Sequence, residues 1–197
     1  MSLFHIDIPT LVKTLGYAGL FLVIFAESGL FFGFFFPGDS LLFSAGILAF
    51  AGFFNVLYLA LLLSFAAIIG DSVGFWFGKK VGPKIFSRED SFFFHKKYVE
   101  RTKKFYEEYG SRTLIVARFT PIVRTFAPIL AGVGGMVYQK FLTYNIVGGI
   151  LWSFVLVYAG YFLGSIIPSA GNYITLIAVF IIIVSFLPFI NEIRKKK

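Results

Sequence analysis

The 197-residue sequence has no cysteine and two histidines, and only 14% of it is charged. Without cysteine there is no disulfide, no thiolate metal site and no cysteine nucleophile. Both histidines, His5 and His95, lie outside the apolar runs. A histidine-based metal or acid–base site within those runs is therefore excluded, and the composition implies neither a metal nor a cofactor. What fills the chain instead is apolar: 58% hydrophobic residues and 20% aromatic, with 28 Phe. That leaves too little polar surface to coat a soluble globule, which argues against a soluble enzyme, a basic nucleic-acid-binding domain and a disordered chain. An integral membrane protein is expected, as one membrane domain over residues 1–197 with no second soluble domain.

The charges that do occur are unevenly placed. Leu15 to Gly78 holds three, Glu27, Asp39 and Asp71, and Thr113 to Ile190 holds three more, Arg118, Arg124 and Lys140. Between them, Lys79 to Arg112 carries ten basic and five acidic residues. Basic residues beside apolar runs mark the cytoplasmic side of a bilayer and contact with anionic head groups. The net charge of +8 is thus a membrane signal, and the central loop and the basic C-terminus are both expected in the cytoplasm. Lys140 is expected to snorkel at an interface. Trp76 and Trp152 are expected in the aromatic belt or facing lipid.

Length arithmetic divides the apolar runs. Met1 to Thr14 suits a short interfacial segment. The run Leu15 to Phe36 exceeds a secretory core and no small-x-small cleavage pattern follows it, so the N-terminus is expected to be retained. Leu41 to Gly78, interrupted only by Asp71, would make a helix about 57 Å long against a hydrocarbon core of about 30 Å. It must break, and Ala51-Gly52 is the natural place. Phe53 to Gly78 then spans the membrane, while Leu41 to Phe50 is too short to cross. Joined through Phe36-Pro37-Gly38-Asp39 to the run before it, that short limb predicts a re-entrant hairpin turning at Pro37 and Gly38. Thr113 to Val137, broken by Arg118, Pro121, Arg124, Pro128 and Gly134-Gly135, predicts a second one. Phe141 to Gly164 and Asn172 to Ile190 are each close to the roughly 20 residues of a spanning helix. In the loop, Tyr98, Thr102, Phe105, Tyr106 and Tyr109 form one helical stripe, as in an interfacial amphipathic helix.

The halves align with each other. Gly19 to Glu27 matches Gly110 to Arg118 at offset 91, and Ala45-Gly46 matches Ala131-Gly132 at offset 86. Gly74 to Gly78 matches Gly160 to Gly164, also at offset 86. The expected fold is an all-α polytopic membrane protein built as an inverted repeat of re-entrant hairpin plus transmembrane helix. Repeat 1 covers residues 15–78, the cytoplasmic loop 79–112, repeat 2 residues 113–164, and a C-terminal helix 172–190. One crossing separates the hairpins, so by parity they enter from opposite faces, as in transporters whose broken helices meet at a binding site.

An ionised side chain at the centre of a spanning helix costs about 2.5–3.5 kcal/mol or more, so Glu27, Asp39, Arg118 and Arg124 require an explanation. One is structural: acids pair with arginines, Glu27 with Arg118 for example, and hold the hairpins together. The other is chemical. A guanidinium stays charged and offers forked donors to a phosphate, whereas a desolvated carboxylate can exchange protons. The two are compatible if an incoming phosphate displaces the acids. Asp71, in Gly70-Asp71-Ser72-Val73-Gly74, is expected near the cytoplasmic end of its span, capping a helix or binding a cation.

Four groups of residues together resemble the DedA family, also called the SNARE-associated or VTT-domain family. They are Glu27 twelve residues before Asp39 in Pro37-Gly38-Asp39; Gly70-Asp71 with Gly74-Phe75, Gly78-Lys79-Lys80 and Gly82; Arg118-Phe119-Thr120-Pro121-Ile122-Val123-Arg124; and Pro128 with Ala131-Gly132, Met136, Phe141, Asn145 and Trp152. The resemblance covers Gly16 to Gly164 and implies a polytopic protein that moves phospholipid-type substrates across the bilayer. Bacterial members are associated with proton-motive-force-dependent recycling of undecaprenyl phosphate, others with phosphatidylethanolamine, and eukaryotic relatives scramble phospholipids. The family's acidic and arginine pairs fall on Glu27, Asp39, Arg118 and Arg124. The reading is a cell-membrane flippase for a lipid phosphate, most simply undecaprenyl phosphate. Arg118 and Arg124 bind phosphate, Glu27 and Asp39 couple protons, and Asp71, Pro37, Gly38 and Pro121 support them. Its partners are the lipid substrate, protons, anionic lipids and a second copy of itself. The alternatives are an uncoupled scramblase, an intramembrane enzyme and a purely structural protein. Against an enzyme, there is no intramembrane His, no Gly-x-Gly-Asp and no multi-Asp metal motif.

Overall fold

A computed structural model of the protein describes residues 8–29, 38–86 and 110–166. The expected amphipathic stripe at Tyr98–Tyr109, the C-terminal helix 172–190, both histidines and Pro37 lie outside the described residues. Those described are mostly helical and include no strand. Six helices follow in order: α1 (Ile8–Gly29), α2 (Gly38–Phe50), α3 (Val56–Phe86), α4 (Thr113–Ala117), α5 (Pro121–Val133) and α6 (Tyr138–Ile166).

Two of them, α3 and α6, are long and apolar enough to cross a membrane. With 31 and 29 residues they extend about 46 Å and 44 Å at 1.5 Å per residue. Helix α3 runs eight residues past Gly78, where the basic loop was expected to begin. Helices α2 and α5, of 13 residues each, reach only about 20 Å and fall short of a 30 Å core. Helix α1 is broken at Gly16, whose φ of 57° is left-handed, close to the expected boundary between an interfacial segment and the first apolar run.

The chain forms two compact units. The described part of the first comprises residues 8–24, 38–65 and 150–166, and that of the second comprises 25–29, 66–86 and 110–149. In the first unit α2 is apolar nearly all round and buried, with Leu41, Leu42, Ala45, Ile47, Leu48 and Ala49 inside. It packs on the second half of α6 through two glycines. A Cβ on Gly46 would lie 2.1 Å from the Val157 carbonyl oxygen, and one on Gly160 would lie 2.1 Å from that of Phe43. Only hydrogen fits there, so the backbones touch.

The second unit repeats the device. A Cβ on Gly132 of α5 would meet the Phe75 carbonyl oxygen of α3 at 2.1 Å, and one on Gly78 would meet that of Ile129 at 2.1 Å. Phe75 stacks on Phe141 at 4.5 Å between ring centroids, over Leu114, Ala127 and Ala131.

The two short helices also end alike. After α2 the amide of Gly52 donates to Ala49 O at 3.1 Å and that of Phe53 to Leu48 O at 3.0 Å. After α5 the amide of Gly135 donates to Gly132 O at 3.1 Å and that of Met136 to Ala131 O at 3.0 Å. Each is a Schellman cap, and each needs a left-handed residue. Gly52 at φ 86° and Gly135 at φ 74° supply it. The break expected near Ala51-Gly52 is this cap.

Candidate functional site

The second unit holds the charged cluster, built around a fault in the helices. Helix α4 lasts five residues and then tightens: the amides of Arg118, Phe119 and Thr120 donate three residues back, to Ile115, Val116 and Ala117. Thr120 is extended, with φ −118° and ψ 108°, as a residue before proline must be. Pro121 restarts the helix at its first turn, where a missing N–H costs nothing. Arg118 sits at the end of α4 and Arg124 in the first turns of α5, so the fault delivers two guanidiniums from one short stretch.

Each guanidinium is met by a carboxylate. Arg118 donates through Nη2 to Asp71 Oδ2 and to Asn145 Oδ1. Arg124 donates through Nη2 to Glu27 Oε1. The four side chains are nearly removed from solvent, at 6% and 9% exposure for Arg118 and Asp71 and 11% and 1% for Arg124 and Glu27. At such burial, loss of one partner costs about 3–5 kcal/mol.

Glycines set the approach. A Cβ on Gly70 would stand 2.6 Å from Phe25 O of α1, and one on Gly29 would stand 2.9 Å from Gly70 O. The end of α1 therefore crosses α3 in direct backbone contact, which brings Glu27 to the cluster beside Asp71. On α6, a Cβ on Gly148 would be 3.1 Å from Arg118 Cδ, and one on Gly149 would be 3.5 Å from Arg118 Cζ. The Arg118 stem lies along this bare strip of helix. Asn145, one turn earlier, turns its amide nitrogen to Ile68 O at 3.0 Å and Ser72 Oγ at 3.5 Å while its oxygen receives Arg118. It thus ties α6 to the turn of α3 that carries Asp71. Among these groups lies a cavity of about 10 Å³ lined by Asp71, Arg118, Arg124 and Asn145 with Leu114, Ala127, Pro128 and Phe141. It has about the room of one water.

Several expectations change here. Glu27 pairs with Arg124, not with Arg118. Asp71 sits at the middle of α3 and neutralises Arg118, rather than capping a helix end. The reason is the glycine crossing at Gly70, which aligns the end of α1 with the middle of the span. Asn145 went unassigned by sequence reasoning, although it is the only carboxamide between Phe141 and Gly164. Such an isolated amide in an apolar run was the signal available. In the first unit, Asp39 lies in the first turn of α2, where a carboxylate suits the positive end of the helix dipole. It accepts a hydrogen bond of 2.9 Å from Trp152 Nε1. Trp152 is 2% exposed and does not face lipid, because its N–H must find a partner and Asp39 is that partner. Trp76 is exposed with Lys79 5.0 Å over its ring, as suits a belt residue. Gly38 is buried as the first residue of α2. No group of three or more candidate metal ligands occurs among the described residues.

Comparison with known proteins agrees with the residue pattern. The VTT domain family matches residues 36–162. The protein DedA of Escherichia coli K12 is 46% identical over 200 residues, covering 98% of this chain and 91% of its own. An uncharacterized membrane protein of Mycobacterium tuberculosis is 43% identical over 172 residues, covering 86% and 75%. The inner membrane protein YqjA of E. coli K12 is 33% identical over 156 residues, covering 79% and 70%. No solved structure matches the chain. With two helices fit to cross a bilayer and relatives named as membrane proteins, the chain is a membrane protein of the DedA (VTT-domain) family.

Proposed function

We propose that the protein is a translocase, not an enzyme, that carries the head group of a phosphate-bearing lipid across the cell membrane, with undecaprenyl phosphate as the favoured substrate and proton coupling. The observation that carries this reading is the pair of buried arginines, each held by a carboxylate, at a helix break beside a small cavity. Two guanidiniums six residues apart offer more donors than two carboxylates need, and a phosphate has the oxygens to take them. The carboxylates keep the site neutral when empty and can take up protons when displaced. The lipid tail stays in the hydrocarbon while the head group passes.

Matched short helices, matched glycine contacts and matched caps support an internal repeat. On this reading α2 and α5 are the returning limbs of two re-entrant hairpins. Because one crossing separates them, they enter from opposite faces, with the basic central loop and C-terminus in the cytoplasm. Protons, anionic lipids and a second copy of the chain complete the proposed partners. Asp39, at the start of α2 under Trp152, is the corresponding acid of the first unit.

The test is a flip assay in proteoliposomes comparing undecaprenyl phosphate with phosphatidylethanolamine, with and without a pH gradient. The expected result is faster movement of undecaprenyl phosphate, slowed when the gradient is collapsed. A rate indifferent to the gradient identifies an uncoupled scramblase. A folded Arg124→Gln protein that moves lipid at the wild-type rate overturns the phosphate site.

A further inference from the structure

Among the described residues the charges of the cluster balance two against two, and this constrains what can replace them. Arg118 is neutralised by Asp71 and Arg124 by Glu27. Among the described residues, the charged groups that act on Asp71 are Arg118 and Arg124, from the break and α5. Glu27 of α1 is reached through Arg124, and α6 contributes the neutral Asn145 and Phe141 to the cavity. A phosphate that takes both guanidiniums takes the paired counter-charge from two buried carboxylates, each costing several kcal/mol if it stays ionised. Each is relieved by binding one proton.

Resting on the translocase reading, we propose that Asp71 is a second proton carrier beside Glu27, and that the site therefore moves two protons with a phosphomonoester and one with a phosphodiester. A phosphomonoester bears about two negative charges above its second pKa of about 6 and replaces both carboxylates. A phosphodiester bears one and replaces one of them. Protons enter onto the Asp71 and Glu27 carboxyl oxygens as the phosphate binds. They leave as it departs and the ion pairs re-form. Asn145 is uncharged, so it does not repel the phosphate. It keeps its hold on Arg118 Nη2 while Asp71 lets go, which leaves the guanidinium aimed at the cavity.

The experiment uses the full chain in proteoliposomes at about pH 8, above the second phosphate pKa, with a pH-sensitive dye inside and lipid movement counted in parallel. The probes are undecaprenyl phosphate and phosphatidylglycerol, a phosphodiester whose head group carries no cation. Wild type is expected to move twice as many protons per undecaprenyl phosphate as per phosphatidylglycerol. Asp71→Asn, checked for monodispersity, is expected to halve the ratio for undecaprenyl phosphate. Equal ratios for the two lipids in wild type overturn the proposal without recourse to any variant. So does an unchanged ratio in a folded Asp71→Asn protein. Wild type that moves neither lipid overturns instead the translocase reading on which the proposal rests.

Discussion

The two units use one scaffold for different contents. Each has a 13-residue helix, a glycine pair that admits a long helix to backbone contact, and a Schellman cap on a left-handed glycine. In the first unit α2 is almost wholly apolar and its acid, Asp39, is satisfied by an indole N–H. In the second, α5 begins at a fault and brings arginine to buried carboxylates. Backbone contacts through glycine supply the framework in both, so the charges are not needed to build it. They are an addition to one unit, and their cost indicates that something other than packing retains them.

The sharpest way to break this comparison is to remove one charge from the second unit. Glu27→Gln is expected to destabilise by about 3–5 kcal/mol, because the buried Arg124 loses the carboxylate paired with it. Adding Arg124→Gln is expected to restore most of that loss, since the charge that lost its pair then disappears. Thermal unfolding of the two singles and the double in detergent measures the coupling. Additive losses would mean that the pair is not a closed unit and that the framework does depend on its charges.

The corresponding change in the first unit is milder. Trp152→Phe keeps an aromatic ring in place and removes the N–H that reaches Asp39. The expected loss is about 1.5–3 kcal/mol, the range for a hydrogen bond to a charged group. The same unfolding measurement checks it, and a loss as large as that of Glu27→Gln would erase the distinction between the units.

How much of this was legible in the sequence follows from what one-dimensional patterns encode. An apolar run carries its length, so the break at Ala51-Gly52 and the spans near Phe53–Gly78 and Phe141–Gly164 could be read by comparison with bilayer thickness. A run does not encode which partner a buried charge will meet. Glu27 and Arg124 are 97 residues apart, and they meet because Gly70 lets α1 cross α3 at one height. The match between the two halves of the sequence shows the same limit. Alignment at offset 86 pairs Gly74 with Gly160. In the contacts, however, Gly78 does for α5 what Gly160 does for α2, one turn further on, while a Cβ on Gly74 would find ordinary contact with Ile129 at 3.5 Å. Glycines spaced by four lie on one helix face, so the sequence alone cannot choose between adjacent turns. Trp152 was misassigned for a similar reason: aromatic residues are common at lipid interfaces, and nothing local marks the one whose N–H is needed 113 residues away.

The smallest expected effect tests whether the scaffolds are equivalent. Gly52 and Gly135 hold the same position in the two caps, both left-handed, and neither would bring a Cβ within 4 Å of another group. Substitution by alanine at either site therefore adds no collision, only the conformational penalty of a left-handed alanine, about 1–2 kcal/mol. If the units share one scaffold, Gly52→Ala and Gly135→Ala should lower stability by similar amounts, and the two losses should add in the double variant. Thermal unfolding resolves differences of this size. A Gly135→Ala loss well above that of Gly52→Ala would show that the second cap is bound up with the charged fault preceding α5, and the scaffold would then not be independent of the charges it carries.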